Sequence, residues 1–128
     1  MRAIYLFKIE FYKDRSGNEK TVDYIRELNN KAGSSKDCRI RLKKIVEYFE
    51  VLSRFGTQAG EPYVKHIDDG IWELRPTNDR VFFFCWNGDT YIMLHHFIKK
   101  TQKTPGREII QAKCNRADFL ERNDRNEY

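Results

Sequence analysis

Apolar residues along this chain follow two rhythms, one near four residues and one of two, and the places where they switch outline the elements. Cys38, Leu42, Ile45, Phe49 and Leu52 step by four, three, four and three, drawing one apolar stripe down a helix that reaches about Phe55. Ser34, with Asp37 three residues on, reads as its N-cap with acidic support in the first turn. Val22, Ile25 and Leu28 recur every three residues within 19–31, which predicts a shorter helix ending near Gly33. Residues 4–12 alternate instead, with Ile4, Leu6 and Lys8 on one side and Tyr5, Phe7, Ile9 and Phe11 on the other, the pattern of a strand. Residues 14–18 form a turn between that strand and the first helix.

Residues 70–105 carry the richest pattern. Three aromatic-rich apolar runs, 71–74, 81–86 and 91–98, are separated by Pro76-Thr-Asn-Asp79 and by Asn87-Gly88-Asp89. Runs broken by such groups read as a three-stranded antiparallel meander. Residues 63–67 form a short edge strand before it, after a loop that contains Gly56, Gly60 and Pro62. Pro105 opens a final helix in which Ile110, Cys114, Ala117 and Leu120 share one face, and the charged tail 121–128 frays. The order β-α-α-β-β-β-β-α predicts an α+β fold, an antiparallel sheet with two N-terminal helices on one face and a C-terminal helix, in a single domain over residues 1–128.

Composition narrows the class. Hydrophobic residues make up 40% of the 128 and aromatics 14%, enough for a core of ordinary density. The chain has 24 Lys+Arg against 19 Asp+Glu, a net charge of +5, which suits a phosphate-rich partner. Three cysteines, Cys38, Cys85 and Cys114, have no CxxC spacing and fall at apolar positions, as buried thiols of a reducing compartment do. The N-terminus lacks the apolar stretch of a signal peptide, and no segment approaches the roughly 20 apolar residues of a membrane span. These features predict a soluble, cytoplasmic protein. The three histidines and three cysteines show no metal-ligand spacing, and no phosphate-binding glycine loop or nucleophile elbow occurs.

GIWELRP, then an aromatic strand, then LHHFIKKTQKTP and a helix bearing Arg107 and Glu108 together resemble the RelE/ParE superfamily of small toxins, and within it the HigB-type, phage-derived branch. The resemblance implies a RelE-like domain that acts as a type II toxin and needs no cofactor. Its partners would be a cognate helix-turn-helix antitoxin, the ribosome and mRNA. Many members cut mRNA in the ribosomal A site, whereas the ParE branch inhibits DNA gyrase without being an enzyme; a degenerate phage-derived copy would only bind an antitoxin. His96 departs from the pattern, standing where a small residue is common.

The resemblance gives the cations of the meander candidate roles, each set against a plainer one. Arg75 shares a strand face with Glu73 and Ile71; it either forks onto the scissile phosphate or pairs with Glu73 at the surface. Alternation along 91–98 puts Ile92, Leu94, His96 and Ile98 on the face against the helices. Tyr91, Met93, His95, Phe97 and Lys99 then lie on an open face. His95 is therefore the candidate proton carrier and His96 a satisfied core histidine. Lys99 and Lys100 either ligate phosphate and help activate the 2′-OH or belong to a solvated run. Arg80 and Lys103 are further phosphate contacts, while Lys65 and His66 sit at the surface. Arg39, Arg41, Lys43 and Lys44 form the wet face of the second helix, a surface for ribosomal RNA. Phe82, Phe84, Trp86 and Phe97 are core aromatics that stack on bases in the alternative reading.

Overall fold

The computed structural model describes residues 6–128. The elements are β1 (Lys8–Phe11), α1 (Lys20–Lys31), α2 (Lys36–Phe55), a 3-10 turn (Gly56–Ala59), β2 (Val64–Asp68), β3 (Ile71–Leu74), β4 (Asp79–Trp86), β5 (Thr90–Ile98) and α3 (Gly106–Asp124). The fold is α+β, as the sequence implies. The first strand begins later than expected, at Lys8, and the part of that expectation on Ile4 and Tyr5 lies outside the described residues. Ser35, not Ser34, caps α2: its extended backbone lets its hydroxyl accept the Cys38 N–H at 3.2 Å. No helix among the described residues is long and apolar enough to cross a membrane.

The five strands run in the order β1-β5-β4-β3-β2. The meander pairs antiparallel, but β1 lies parallel to β5, with Lys8 opposite Thr90 and Phe11 opposite Met93. The sheet is thus mixed, not antiparallel throughout. Hairpin turns announce the direction of the strands they join; β1 has no hairpin partner, so the local pattern carries no sign of its direction.

Leu52 of α2 packs with Val64, Leu74, Val81, Phe83, Tyr91 and Met93 on one face. Ala112 and Phe119 of α3 pack with Ile71, Phe82, Phe84, Ile92, Leu94 and Phe97 on the other. The face expected to be open is therefore partly covered by α3. Strict alternation also fails in β5. Phe82 faces His95 but Phe83 faces Met93, so Leu94 is an extra residue bulged out of the ladder. Before it the expected faces are exchanged: Tyr91 and Met93, expected on the open face, point to the α2 side, and Ile92 and Leu94, expected against the two helices, point to the α3 side; beyond it, Phe97 points to the α3 side.

The inward stripe of α3 is Ile109, Ala112, Phe119 and Arg122, not Ile110, Cys114, Ala117 and Leu120; Ile110 is 62% exposed. A buried arginine on that stripe disguises it, since Arg122 donates to Asp118 and to the Lys13 carbonyl. The tail expected to fray is helical to Asp124, and Tyr128 folds back with its ring 4.7 Å from Phe119. Cys85 and Cys114 are exposed and Cys38 only half-buried, so the thiols are free but not core residues.

This packing predicts opposite outcomes at adjacent positions. Phe119→Ala should cost about 3–5 kcal/mol in urea unfolding, and Leu120→Ala about 0.5 kcal/mol. The reverse order would place α3 on its other face.

Candidate functional site

Strand geometry assembles the site on the α3 side of the sheet, at the end away from the Asn87 turn. Ile71, Glu73 and Arg75 alternate onto this face, and register sets Glu73 opposite Phe82 and Arg80 opposite Phe97. Glu73 is 1% exposed, and its Oε1 lies 3.3 Å from Arg75 Nε and 3.6 Å from Arg80 Nε. Arg75 also reaches Glu61, at 3.6 Å. The separations are those of ion pairs, but alignment is poor. Neither Nε donates a hydrogen bond, and Glu73 Oε2 accepts none.

Two guanidiniums thus share one buried carboxylate oxygen, with exposed Glu61 as a second counter-charge at the rim beside Arg75. Such a fork suits a phosphate oxygen. The side chain of Arg75 is 25% exposed and can be reached from outside, whereas Arg80 is 11% exposed. Its Nη1 donates to the Thr77 and Asp79 carbonyls at 2.6 and 2.9 Å. Burial pushes the Arg80 guanidinium down from its ordinary value, as does neighbouring Arg75, while Glu73 pulls it up; it remains a cation at neutral pH.

The Leu94 bulge turns His95 onto this same face. Its Nε2 lies 3.1 Å from Oε1 of Glu108, in the first turn of α3. His95 faces Phe82 across the ladder and Arg80 faces Phe97, so His95 and Arg80 are diagonal neighbours, about 7 Å apart by strand geometry. Burial and a carboxylate partner fix the imidazole's orientation, which a proton carrier requires. Glu73 and Glu108 enter the sequence reading only as a pairing partner and part of a motif; here both are members of the site. Their signal was spacing to Arg75 and His95, which has no meaning until β5 and α3 are folded together.

Lys99 follows β5 at the same end, and its N–H donates to the Asn78 carbonyl at 2.8 Å. Lys99 is half-buried, while Lys100 and Lys103 are exposed on the loop before α3. Among the described residues, none of the three has an acidic partner. Lys65 and His66 are exposed on edge strand β2.

The cations of α2 lie in the opposite layer and do not join this group. Arg39 is exposed and donates to the Ala32 carbonyl at 2.7 Å, Lys43 is exposed, and Lys44 lies 3.5 Å from Glu47. Arg41 is not on the wet face. Its Nε and Nη2 donate to Asp79 at 3.1 and 2.9 Å, and Asp79 also accepts from Tyr24 at 2.7 Å and lies 2.9 Å from His96 Nε2. The His96 ring stacks on Tyr24, with centroids 3.8 Å apart. His96 is thus the satisfied histidine against the helices that the sequence indicates. Burial pushes the Asp79 carboxyl up, but hydrogen bonds from His96, Arg41 and Tyr24 outweigh it and hold the group at about 2. Burial and the adjoining Asp79 push the Tyr24 hydroxyl well above its ordinary value.

The family model for Phage derived protein Gp49-like (DUF891) matches residues 23–117, which include every side chain of this site. No curated protein matches the chain.

The Asp79 cluster makes a pH prediction. The folded carboxyl titrates at about 2, below its ordinary 3.8. Its stabilisation is therefore fully present above the ordinary value and lost as pH falls through the folded one. Between about pH 5 and pH 2 the unfolding free energy of the wild type should fall by about 2 kcal/mol more than that of Asp79→Asn. Parallel declines in urea titrations would show that the carboxylate is not held this way.

Proposed function

The chain belongs to the Gp49-like family of phage-derived proteins, and from that premise we propose that it is a type II toxin of the RelE/HigB kind. In this reading it is an endoribonuclease that needs no metal and cuts mRNA on the ribosome, arresting translation until a cognate helix-turn-helix antitoxin neutralises it. The observation that carries the reading is the α3-side cluster: two guanidiniums around Glu73, that of Arg75 reachable from outside, beside an imidazole held by Glu108.

The chemistry follows from what those groups can do. The 2′-OH upstream of the scissile bond attacks phosphorus while the P–O5′ bond breaks, leaving a 2′,3′-cyclic phosphate and a 5′-OH. Arg75, the reachable guanidinium, neutralises charge growing on the non-bridging oxygens, and Arg80 backs it from below. His95, oriented by Glu108, takes the 2′-OH proton or returns one to the leaving oxygen. Lys99 and Lys100 hold neighbouring phosphates, with Lys103 further out.

Arg39, Lys43 and Lys44, on the opposite layer, serve as a salt-sensitive grip on ribosomal RNA. The ribosome supplies the in-line geometry of the mRNA, so cutting of free RNA is weak.

In a translation extract, Arg75→Ala should slow mRNA cleavage by about a hundredfold or more, and His95→Gln by a similar ~10²-fold. Glu108→Gln should act through His95, so that the double variant is little worse than His95→Gln alone. Undiminished cutting by Arg75→Ala would refute the role of Arg75. Intact mRNA together with inhibited DNA supercoiling would favour the gyrase-directed alternative.

A further inference from the structure

Two pairs of consecutive residues, Asp79-Arg80 and His95-His96, each send one side chain to either face of the sheet. The front members, Arg80 and His95, belong to the candidate site. The back members, Asp79 and His96, bond to each other at 2.9 Å and to the helix layer through Tyr24 and Arg41. We propose that this Asp79–His96–Tyr24–Arg41 cluster is a positioning device, a polar lock on the back of the sheet that fixes Arg80, His95 and Lys99 on the front. The assignment of those front residues rests on the function proposed above.

The lock acts through backbone within one or two residues, or one main-chain hydrogen bond, of the groups it serves. Asp79 N–H donates to the Pro76 carbonyl at 3.0 Å, and Lys99 N–H to the Asn78 carbonyl at 2.8 Å. Arg80 Nη1 donates to the carbonyls of Thr77 and Asp79. The turn over residues 76–79 therefore holds one site cation by its guanidinium and another by its main chain. Thr77 sits at φ +52°, where a β-branched residue stays only if its surroundings over-determine it. The Asp79 side chain is completely buried and takes hydrogen bonds from the helix layer, which supplies that restraint. On β5, the stack of His96 on Tyr24 fixes the backbone next to His95, immediately after the bulge that aims it.

A buried ion pair is a poor way to gain stability, because well-packed apolar residues do as well or better. What it provides is direction: each hydrogen bond fixes an angle as well as a distance. The same geometry reassigns Arg41. Its charge is spent on Asp79 behind the sheet, so it acts through the lock and is not an RNA contact.

The test is a double-mutant cycle between Asp79→Asn and Arg41→Met, with Tyr24→Phe as a milder variant that removes a single hydrogen bond, all measured in ribosome-dependent cleavage. Positioning predicts that kcat falls by about a hundredfold in Asp79→Asn while KM for programmed ribosomes stays within about twofold. Adding Arg41→Met to Asp79→Asn should make little further difference. If Arg41 grips RNA instead, Arg41→Met raises KM and flattens its salt dependence while Asp79→Asn cuts normally, and the proposal is overturned. A second readout needs no activity. In the free protein, Lys99 amide exchange and the Arg80 Nε–H signal should change in Asp79→Asn and in Tyr24→Phe, with the Phe84 amide unaffected. Unchanged Lys99 and Arg80 signals overturn the lock even if the wild type cleaves, whereas altered signals in a protein that never cuts RNA would refute only the function it is read to serve.

Discussion

Glu73 is almost wholly buried, and the cations beside it are Arg75 and Arg80, at 3.3 and 3.6 Å. The candidate site depends on that arrangement. Two guanidiniums side by side on one sheet face repel each other, and burying them without a counter-charge would be costly. A single carboxylate oxygen between them, with Glu61 at the rim beside Arg75, makes the pair tolerable. Both Nε atoms are buried and donate no hydrogen bond, so what an arriving phosphate oxygen would meet is the outer edge of Arg75, whose side chain is 25% exposed and already held in place. A tighter, bidentate Glu–Arg pair would be more stable and less useful.

The sheet divides the labour between its faces. On the α3 side stand the groups able to meet a phosphodiester; on the α1–α2 side, the Asp79 cluster holds the same stretches of backbone from behind. The Leu94 bulge makes this division possible in β5. With unbroken alternation, His95 would share the side of Tyr91 and Met93 under α2, and His96 would face α3. One extra residue exchanges them, so the imidazole near Glu108 and the imidazole stacked on Tyr24 are chain neighbours with opposite surroundings.

What could be read from the chain was whatever repeats locally. The α2 stripe, the meander with its turns, and β3 at Ile71–Leu74 all rest on periods of four or two residues and on turn chemistry. The shared face of Glu73 and Arg75 follows from the same alternation. Features set by distant parts of the chain were not legible. No Gly or Pro marks the bulge at Leu94, and nothing near β1 reveals that it will lie parallel to β5. Arg122 hides the inward face of α3 because its partners, Asp118 and the Lys13 carbonyl, include a residue at the far end of the sequence. Arg41 looks like one more surface cation of α2 until Asp79, 38 residues away, is seen to accept its hydrogen bonds. Arg122 and Arg41 are polar residues satisfied by tertiary contact, the class that hydrophobic periodicity cannot sort.

The proposed phosphodiester chemistry rests on the face of guanidinium, imidazole and ammonium groups around a buried carboxylate. The most direct measurement is the chemical identity and position of RNA ends in cells after brief induction. The account predicts new 5′-hydroxyl ends paired with 2′,3′-cyclic or 3′-phosphate ends, within translated reading frames and absent when initiation is blocked. New 5′-phosphate ends, or growth arrest with transcripts intact, would contradict it.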